Sequence, residues 1–272
     1  MTVDKRPANR RQGPPSVLDN VWEPLRELTA ARIGLPRSGP SLATSALLAF
    51  RLAHARARDA VAVELDPHAL HSALDDLGLD AVACASAAPD LRSYLLRPDL
   101  GRTLDADSLA RLQSKRGIGD LSIVLADGLS AGAVQQHALP LLSVLRPMLQ
   151  ASGWTLAPVV ILRHGRVAAG DVIGEALGAS CVLMLIGERP GLSSPDSMGA
   201  YMTWAPAPGR SDADRNCVSN IRPAGLNASL AAQKLIYMLG RMRASSTSGV
   251  ALKDEMASTV EQSGAAKKID HR

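Results

Sequence analysis

The stretch Cys181-Val182-Leu183-Met184-Leu185-Ile186-Gly187-Glu188-Arg189-Pro190-Gly191 decides the fold. An apolar run this short, closed by a glycine, predicts a strand buried on both faces. Glu188 stands at the carboxyl end of that strand, and Pro190-Gly191 force the chain to turn at once. In open α/β sheets, ligands bind just outside the carboxyl ends of the strands. An acid placed there and followed by a rigid turn is a candidate ligand contact.

Working outward, the same alternation repeats. Residues 121–126 predict a strand that ends in Asp127-Gly128-Leu129-Ser130. Residues 131–151 read as helix, bent or split by Pro140 and Pro147. Residues 158–162 predict a strand running into Arg163-His164-Gly165-Arg166-Val167, and 171–177 a short helix. Beyond Glu188, residues 201–204 predict a strand, the run Asp214-Arg215-Asn216-Cys217-Val218-Ser219-Asn220 a loop, and 227–243 a helix. Strand–helix–strand order implies the α/β class, with a Rossmann-like, mostly parallel sheet and flanking helices over residues 119–245.

A smaller, mainly helical region is expected at 16–118. It holds helices at 16–31, at 42–60 behind the cap Ser41, at 66–81, and from the cap Asp105 to 115. Residues 1–15 are polar, basic and proline-containing and are expected to be disordered; 246–272 are expected to form a mobile tail.

Hydrophobic residues make up 46 % and charged residues 21 % of the chain, the profile of a soluble globular protein. Aromatics are only 3 %, so the core is built from aliphatic side chains. That scarcity also argues against stacking on single-stranded nucleic acid. The net charge of +4 is read as a solvated basic face or an acidic protein partner. No apolar run spans a bilayer and no secretory leader is seen, so a cytoplasmic location is expected. Cys84, Cys181 and Cys217 are an odd number at scattered spacings, which fits reduced thiols.

Several chemistries are excluded by pattern. There is no Gly-x-Gly-x-x-Gly fingerprint and no phosphate-binding loop with its Gly-Lys-Ser/Thr, which removes NAD and ATP. There is no Gly-x-Ser-x-Gly, so a serine hydrolase is not suggested. Asp66-Pro67-His68-Ala69-Leu70-His71 falls short of the Asp-x-His-x-x-Gly motif that ligates cobalt in some B12 proteins, since His71 takes the place of the glycine. His68 and His71 read as surface helix residues, and no cysteine near them suggests zinc. Arg215 close to Cys217 could lower a thiol pKa. With no base paired to it in sequence, Cys217 is read as a pocket-lining or packed cysteine rather than a nucleophile. The alternative kept open is a free-standing α/β enzyme acting on a nucleotide-like ligand through Cys217. Four polar or glycine-bearing segments, at 127–128, 164–167, 187–191 and 214–217, are expected to converge on one crevice.

These segments carry a resemblance. Arg37-Ser38-Gly39-Pro40, Leu96-Arg97-Pro98-Asp99-Leu100-Gly101-Arg102, Asp127-Gly128-Leu129-Ser130, His164-Gly165-Arg166-Val167, Ile173-Gly174-Glu175-Ala176-Leu177-Gly178-Ala179, Gly187-Glu188-Arg189-Pro190-Gly191-Leu192 and Asp214-Arg215-Asn216-Cys217-Val218-Ser219-Asn220-Ile221 stand in one order. In that combination the chain resembles the small (light) subunit of ethanolamine ammonia-lyase, over about residues 25–242. The resemblance implies an adenosylcobalamin-dependent carbon–nitrogen lyase that yields acetaldehyde and ammonia. It implies a hetero-oligomer whose large subunit carries the barrel, the substrate site and the radical chemistry, while this chain caps the cofactor. It implies cobalamin contacts at Val167, Glu188 and Cys217, with no catalytic residue and no metal ligand in this chain; from composition and hydropathy, no nucleic-acid or membrane partner is expected. It leaves open whether a bacterial microcompartment encloses the complex.

Overall fold

The computed structural model describes Trp22, residues 24–254 and Met256. Segment 1–15, the expected cap Ser16 and most of the tail lie outside the described residues.

Residues 24–27 are helical, and the helix expected at 16–31 does not continue past them; its start lies outside the described residues. A small antiparallel hairpin follows, β1 (Arg37–Ser38) and β2 (Ser41–Leu42), turned at Gly39-Pro40. Ser41 is therefore a strand residue. The next helix, α1 (Thr44–Ala62), begins after Ala43 with no side-chain cap. None of its residues is buried.

Helix α2 (Pro67–Asp76) is capped by Asp66, whose carboxylate accepts from the N–H groups of His68 and Ala69, each at 3.0 Å. Pro67 sits where a missing N–H costs nothing. The helix ends five residues short of the expected 81, because Leu77-Gly78 turn the chain into β3 (Ala81–Ala85). Helices α3 (Leu91–Leu96) and α4 (Ala106–Gln113) follow, each capped by an aspartate, Asp90 and Asp105.

The remaining elements are β4 (Leu121–Ala126), α5 (Ala131–Ala151), β5 (Val159–Arg163), α6 (Ala169–Leu177), β6 (Cys181–Gly187), β7 (Met198–Trp204), β8 (Arg215–Ile221) and α7 (Ala228–Ser245). Helix α5 runs unbroken through Pro140 and Pro147, both of which lie on its exposed side.

The six long strands form one sheet in the order β3-β5-β4-β6-β7-β8. The first four are parallel, and β7 runs antiparallel to both its neighbours. This is the expected α/β class with a mostly parallel sheet and a helical N-terminal region. One strand, β3, comes from within that N-terminal region. The segment 215–221, expected as a loop, is the edge strand β8.

The sheet is sandwiched between two helical layers, and the alternation of its side chains fixes both. Ile123, Leu125, Ile161, Leu183 and Leu185 point to one face, where Leu70 and Leu74 of α2, Leu141 and Leu145 of α5 and Leu235 and Leu239 of α7 cover them. Val124, Ala126, Val160, Leu162, Val182 and Met184 point to the other, under Leu112 of α4 and Ile173 and Leu177 of α6. Burying each such side chain stabilises the fold by roughly 1.5–3 kcal/mol. Residues at the start of the tail lie against β8: the Asn216 amide donates to the carbonyls of Gly249 and Leu252 at 3.2 and 3.0 Å.

Candidate functional site

From β4 the chain crosses through α5 to β5 on one side, then through α6 to β6 on the other. The crossover direction thus reverses around β4, and in such sheets the ligand crevice opens at that switch point. A cavity of about 260 Å³ lies there. Its walls come from the ends of β4 (Gly128, Leu129), β5 (Arg166, Val167) and β6 (Gly187, Glu188), with Tyr201 of β7 and Tyr94 of α3 beside them.

Asp127 fastens two of these loops. It is only 8 % exposed. Its carboxylate accepts from the N–H groups of Gly128 at 2.8 Å, His164 at 2.6 Å and Gly165 at 3.0 Å. Burial pushes this carboxyl above its usual range, while the N–H groups and the nearby His164 pull it back. His164 is held in the left-handed region at φ 54°. Its Nδ1 lies 3.2 Å from the carbonyl of Ala88, and its ring stacks on Tyr94 at 5.8 Å. A non-glycine residue keeps such a backbone only where its surroundings over-determine it.

Arg166 is fixed next. Its guanidinium lies 4.6 Å over the Tyr94 ring and donates to the Tyr94 carbonyl at 2.9 Å, while its backbone N–H donates to the Gly101 carbonyl at 2.8 Å. The Leu96–Arg102 segment is thereby bound to the loop that carries Val167. Between β4 and β6 the loops touch directly, and the Leu129 N–H donates to the Gly187 carbonyl at 3.0 Å. A side chain at Gly128 would collide with Gly187, and one at Gly187 with Ser130, so the approach requires glycine at both places.

Glu188 is half-buried. Its backbone N–H donates to the Ser197 carbonyl at 2.9 Å, and its carboxylate accepts from the Ser197 hydroxyl and from the Asn220 N–H at 3.4 Å. Lone pairs remain for a ligand, since an ionised carboxylate has about four acceptor sites. Gly199 makes room for it: a Cβ there would sit 2.8 Å from Glu188 Oε1.

Val167 and Glu188 therefore share one crevice, as expected from sequence. Cys217 is placed differently. It lies within strand β8, opposite Tyr201, and does not line the cavity. The expected fourth strand-end loop does not reach this rim, because β7 runs backwards and carries the start of β8 to the opposite edge, where Arg215 pairs with Thr203. Nor does Arg215 activate the thiol. It is buried against Asp171 and also bonds Asp212 at 2.9 Å. Burial raises the Cys217 thiol above its ordinary range, and the neighbouring Tyr201 phenol pulls it partly back. Tyr94 and Tyr201 belong to the crevice without having been singled out, while Arg166 stood in the segment expected there. A tyrosine within an apolar strand reads as core, and no sequence pattern marks it otherwise. Among the described residues, no group of histidine, cysteine, aspartate and glutamate side chains is arranged to hold a metal ion, and no helix is long and apolar enough to cross a membrane.

Together the fold and crevice define an α/β protein with an open cleft at the switch point of its sheet. At about 260 Å³ the crevice falls below the roughly 300–1,000 Å³ that encloses a drug-sized ligand. The sequence matches the family described as "Ethanolamine ammonia-lyase light chain (EutC)" over residues 19–253. It is 54 % identical over 241 residues to the ethanolamine ammonia-lyase small subunit of Azotobacter vinelandii (strain DJ / ATCC BAA-1303), covering 87 % of this chain and 89 % of that one. It is 51 % identical over 251 residues to the small subunit of the same name from Pseudomonas aeruginosa (strain LESB58), covering 91 % and 92 %. The chain belongs to the ethanolamine ammonia-lyase light chain family.

Proposed function

We propose that this chain is the cofactor-capping subunit of a hetero-oligomeric ethanolamine ammonia-lyase, which converts ethanolamine to acetaldehyde and ammonia. The observation that supports this most is the crevice itself: an open, half-polar rim at the sheet's switch point, able to grip one edge of a ligand much larger than its own volume. Adenosylcobalamin is such a ligand, and its rim of amide arms and its ribose present donors. Glu188, with acceptor capacity to spare, suits them; Val167 offers apolar contact and Cys217 a small soft surface nearby. When bound, this cofactor supplies the cobalt–carbon bond whose homolysis starts radical chemistry. The residues present fit a hold on its periphery and not on its metal, in keeping with the lack of a cobalt-ligating histidine motif.

In this reading the chain's own work is placement. Asp127 keeps the loops of β4 and β5 in register, Ser197 and Asn220 orient Glu188, and the packed rim excludes water from one side of the ligand. The large subunit covers the remaining side and carries the substrate site. The alternative, a self-contained enzyme using Cys217, is disfavoured by the raised thiol and by the absence of any base bonded to it.

The test is Glu188→Ala in the enzyme reconstituted with the large subunit. The cofactor dissociation constant should rise about tenfold or more, the cost of leaving buried donors without an acceptor. An unchanged constant would remove Glu188, and with it this crevice, from the cofactor site.

A further inference from the structure

Tyr201 occupies the place in the crevice that the sequence had reserved for Cys217. It is half-buried, and it lines the cavity together with Val167 and Glu188. In the β7–β8 ladder its direct partner is Cys217. The two side chains therefore stand beside each other on one face of the ladder, and burial together with the nearby thiol pushes the Tyr201 phenol above its ordinary range. A Cβ at Gly199 would stand 2.8 Å from Glu188 Oε1 and 3.1 Å from Tyr201 Cε2, so the carboxylate and the ring edge meet over that glycine. Acid and ring thus face the ligand space together, with the thiol beside the ring.

We propose that Tyr201 is a further ligand-contacting residue of this crevice, and that part of what Cys217 contributes to binding is delivered through the Tyr201 hydroxyl. This rests on the cofactor reading above. A tyrosine ring offers a large, stiff surface that is already half-desolvated before the ligand arrives, which suits the flank of a macrocycle or an amide arm. The proposed link is a hydrogen bond from the phenol to the sulfur across this strand pair, which fixes the hydroxyl and keeps the ring against Glu188. Loss of Cys217 therefore frees the ring, and once the hydroxyl is gone, loss of Cys217 has nothing left to free.

The experiment uses the complex of this chain with the large subunit, titrated with adenosylcobalamin, for Tyr201→Ala, Tyr201→Phe, Cys217→Ala, the double variant Tyr201→Phe/Cys217→Ala, and Glu188→Ala. Tyr201→Ala should weaken cofactor affinity about tenfold or more while the KM for ethanolamine stays within about twofold; Tyr201→Phe, keeping the ring, should recover most of that loss. The loss caused by Cys217→Ala should shrink toward zero in the Tyr201→Phe background, the signature of coupled residues. The proposal is overturned if Tyr201→Ala leaves cofactor affinity unchanged while Glu188→Ala lowers it, or if the Cys217→Ala loss is the same in both backgrounds. If Glu188→Ala also leaves affinity unchanged, the cofactor reading itself fails. Should Tyr201→Ala not assemble with the large subunit, the two-residue cycle still decides, since neither of its substitutions removes a ring.

Discussion

Asp127 and Asp196 show how much a single carboxylate can organise; the first stood in a segment expected at the crevice, the second did not, and neither was named as a ligand contact. Asp127→Ala leaves three N–H groups without an acceptor, so chemical denaturation should show a loss of about 3 kcal/mol or more, with Asp127→Asn losing less. Asp196 lies 3.1 Å from Arg222 and 3.3 Å from His137. Burial pushes its carboxyl up, but its backbone N–H, Arg222 and His137 outweigh that and hold it below the usual range. A carboxyl lowered in the folded state adds stability above its unfolded pKa and loses it as pH falls through the folded one. The wild type should therefore lose stability faster than Asp196→Asn as the pH drops below about 4, by under about 1 kcal/mol since the group is partly solvated; urea midpoints across that range would show it. Glu188 was legible because an acid directly after a buried strand has little structural reason to be there. Tyr201 was not, because an aromatic inside a strand has an ordinary one.

Among the elements, the apolar runs of β4, β5 and β6 announced themselves, since a strand buried on both faces carries little that is polar; Ser122 in β4 and Arg163 at the end of β5 are the exceptions. Two strands did not. β3 is Ala-Val-Ala-Cys-Ala, too small and too alanine-rich to separate from the helix before it. β8 is Arg-Asn-Cys-Val-Ser-Asn-Ile, and only Arg215, Val218 and Ile221 of it are buried, so an edge strand passed for a loop. The prolines of α5 were legible as residues but not in effect: exposed on the outer side, they leave the helix unbroken. Pro147→Ala restores a backbone donor there and should raise stability by about 1–2 kcal/mol, part of the interior-proline cost, read as a higher thermal midpoint. Contrast is expected between two leucines. Leu145→Ala in α5, fully buried, should cost about 2–5 kcal/mol. Leu52→Ser in α1, 52 % exposed, should stay within about 0.5 kcal/mol in the isolated chain.

At the scale of the whole molecule, a three-layer body supplies stability while one edge of its sheet supplies the rim. The isolated chain should show no turnover of ethanolamine with added adenosylcobalamin, and activity should appear when the large subunit is supplied; turnover by the chain alone would contradict the division of labour proposed here. The shared carboxylate of Asp127 has a practical corollary for anyone redesigning this rim. Because the tips after β4 and β5 hang from the same side chain, neither can be swapped by itself without stranding the other's amides. A graft meant to change what the protein grips must transplant both tips as a pair, together with the aspartate that ties them.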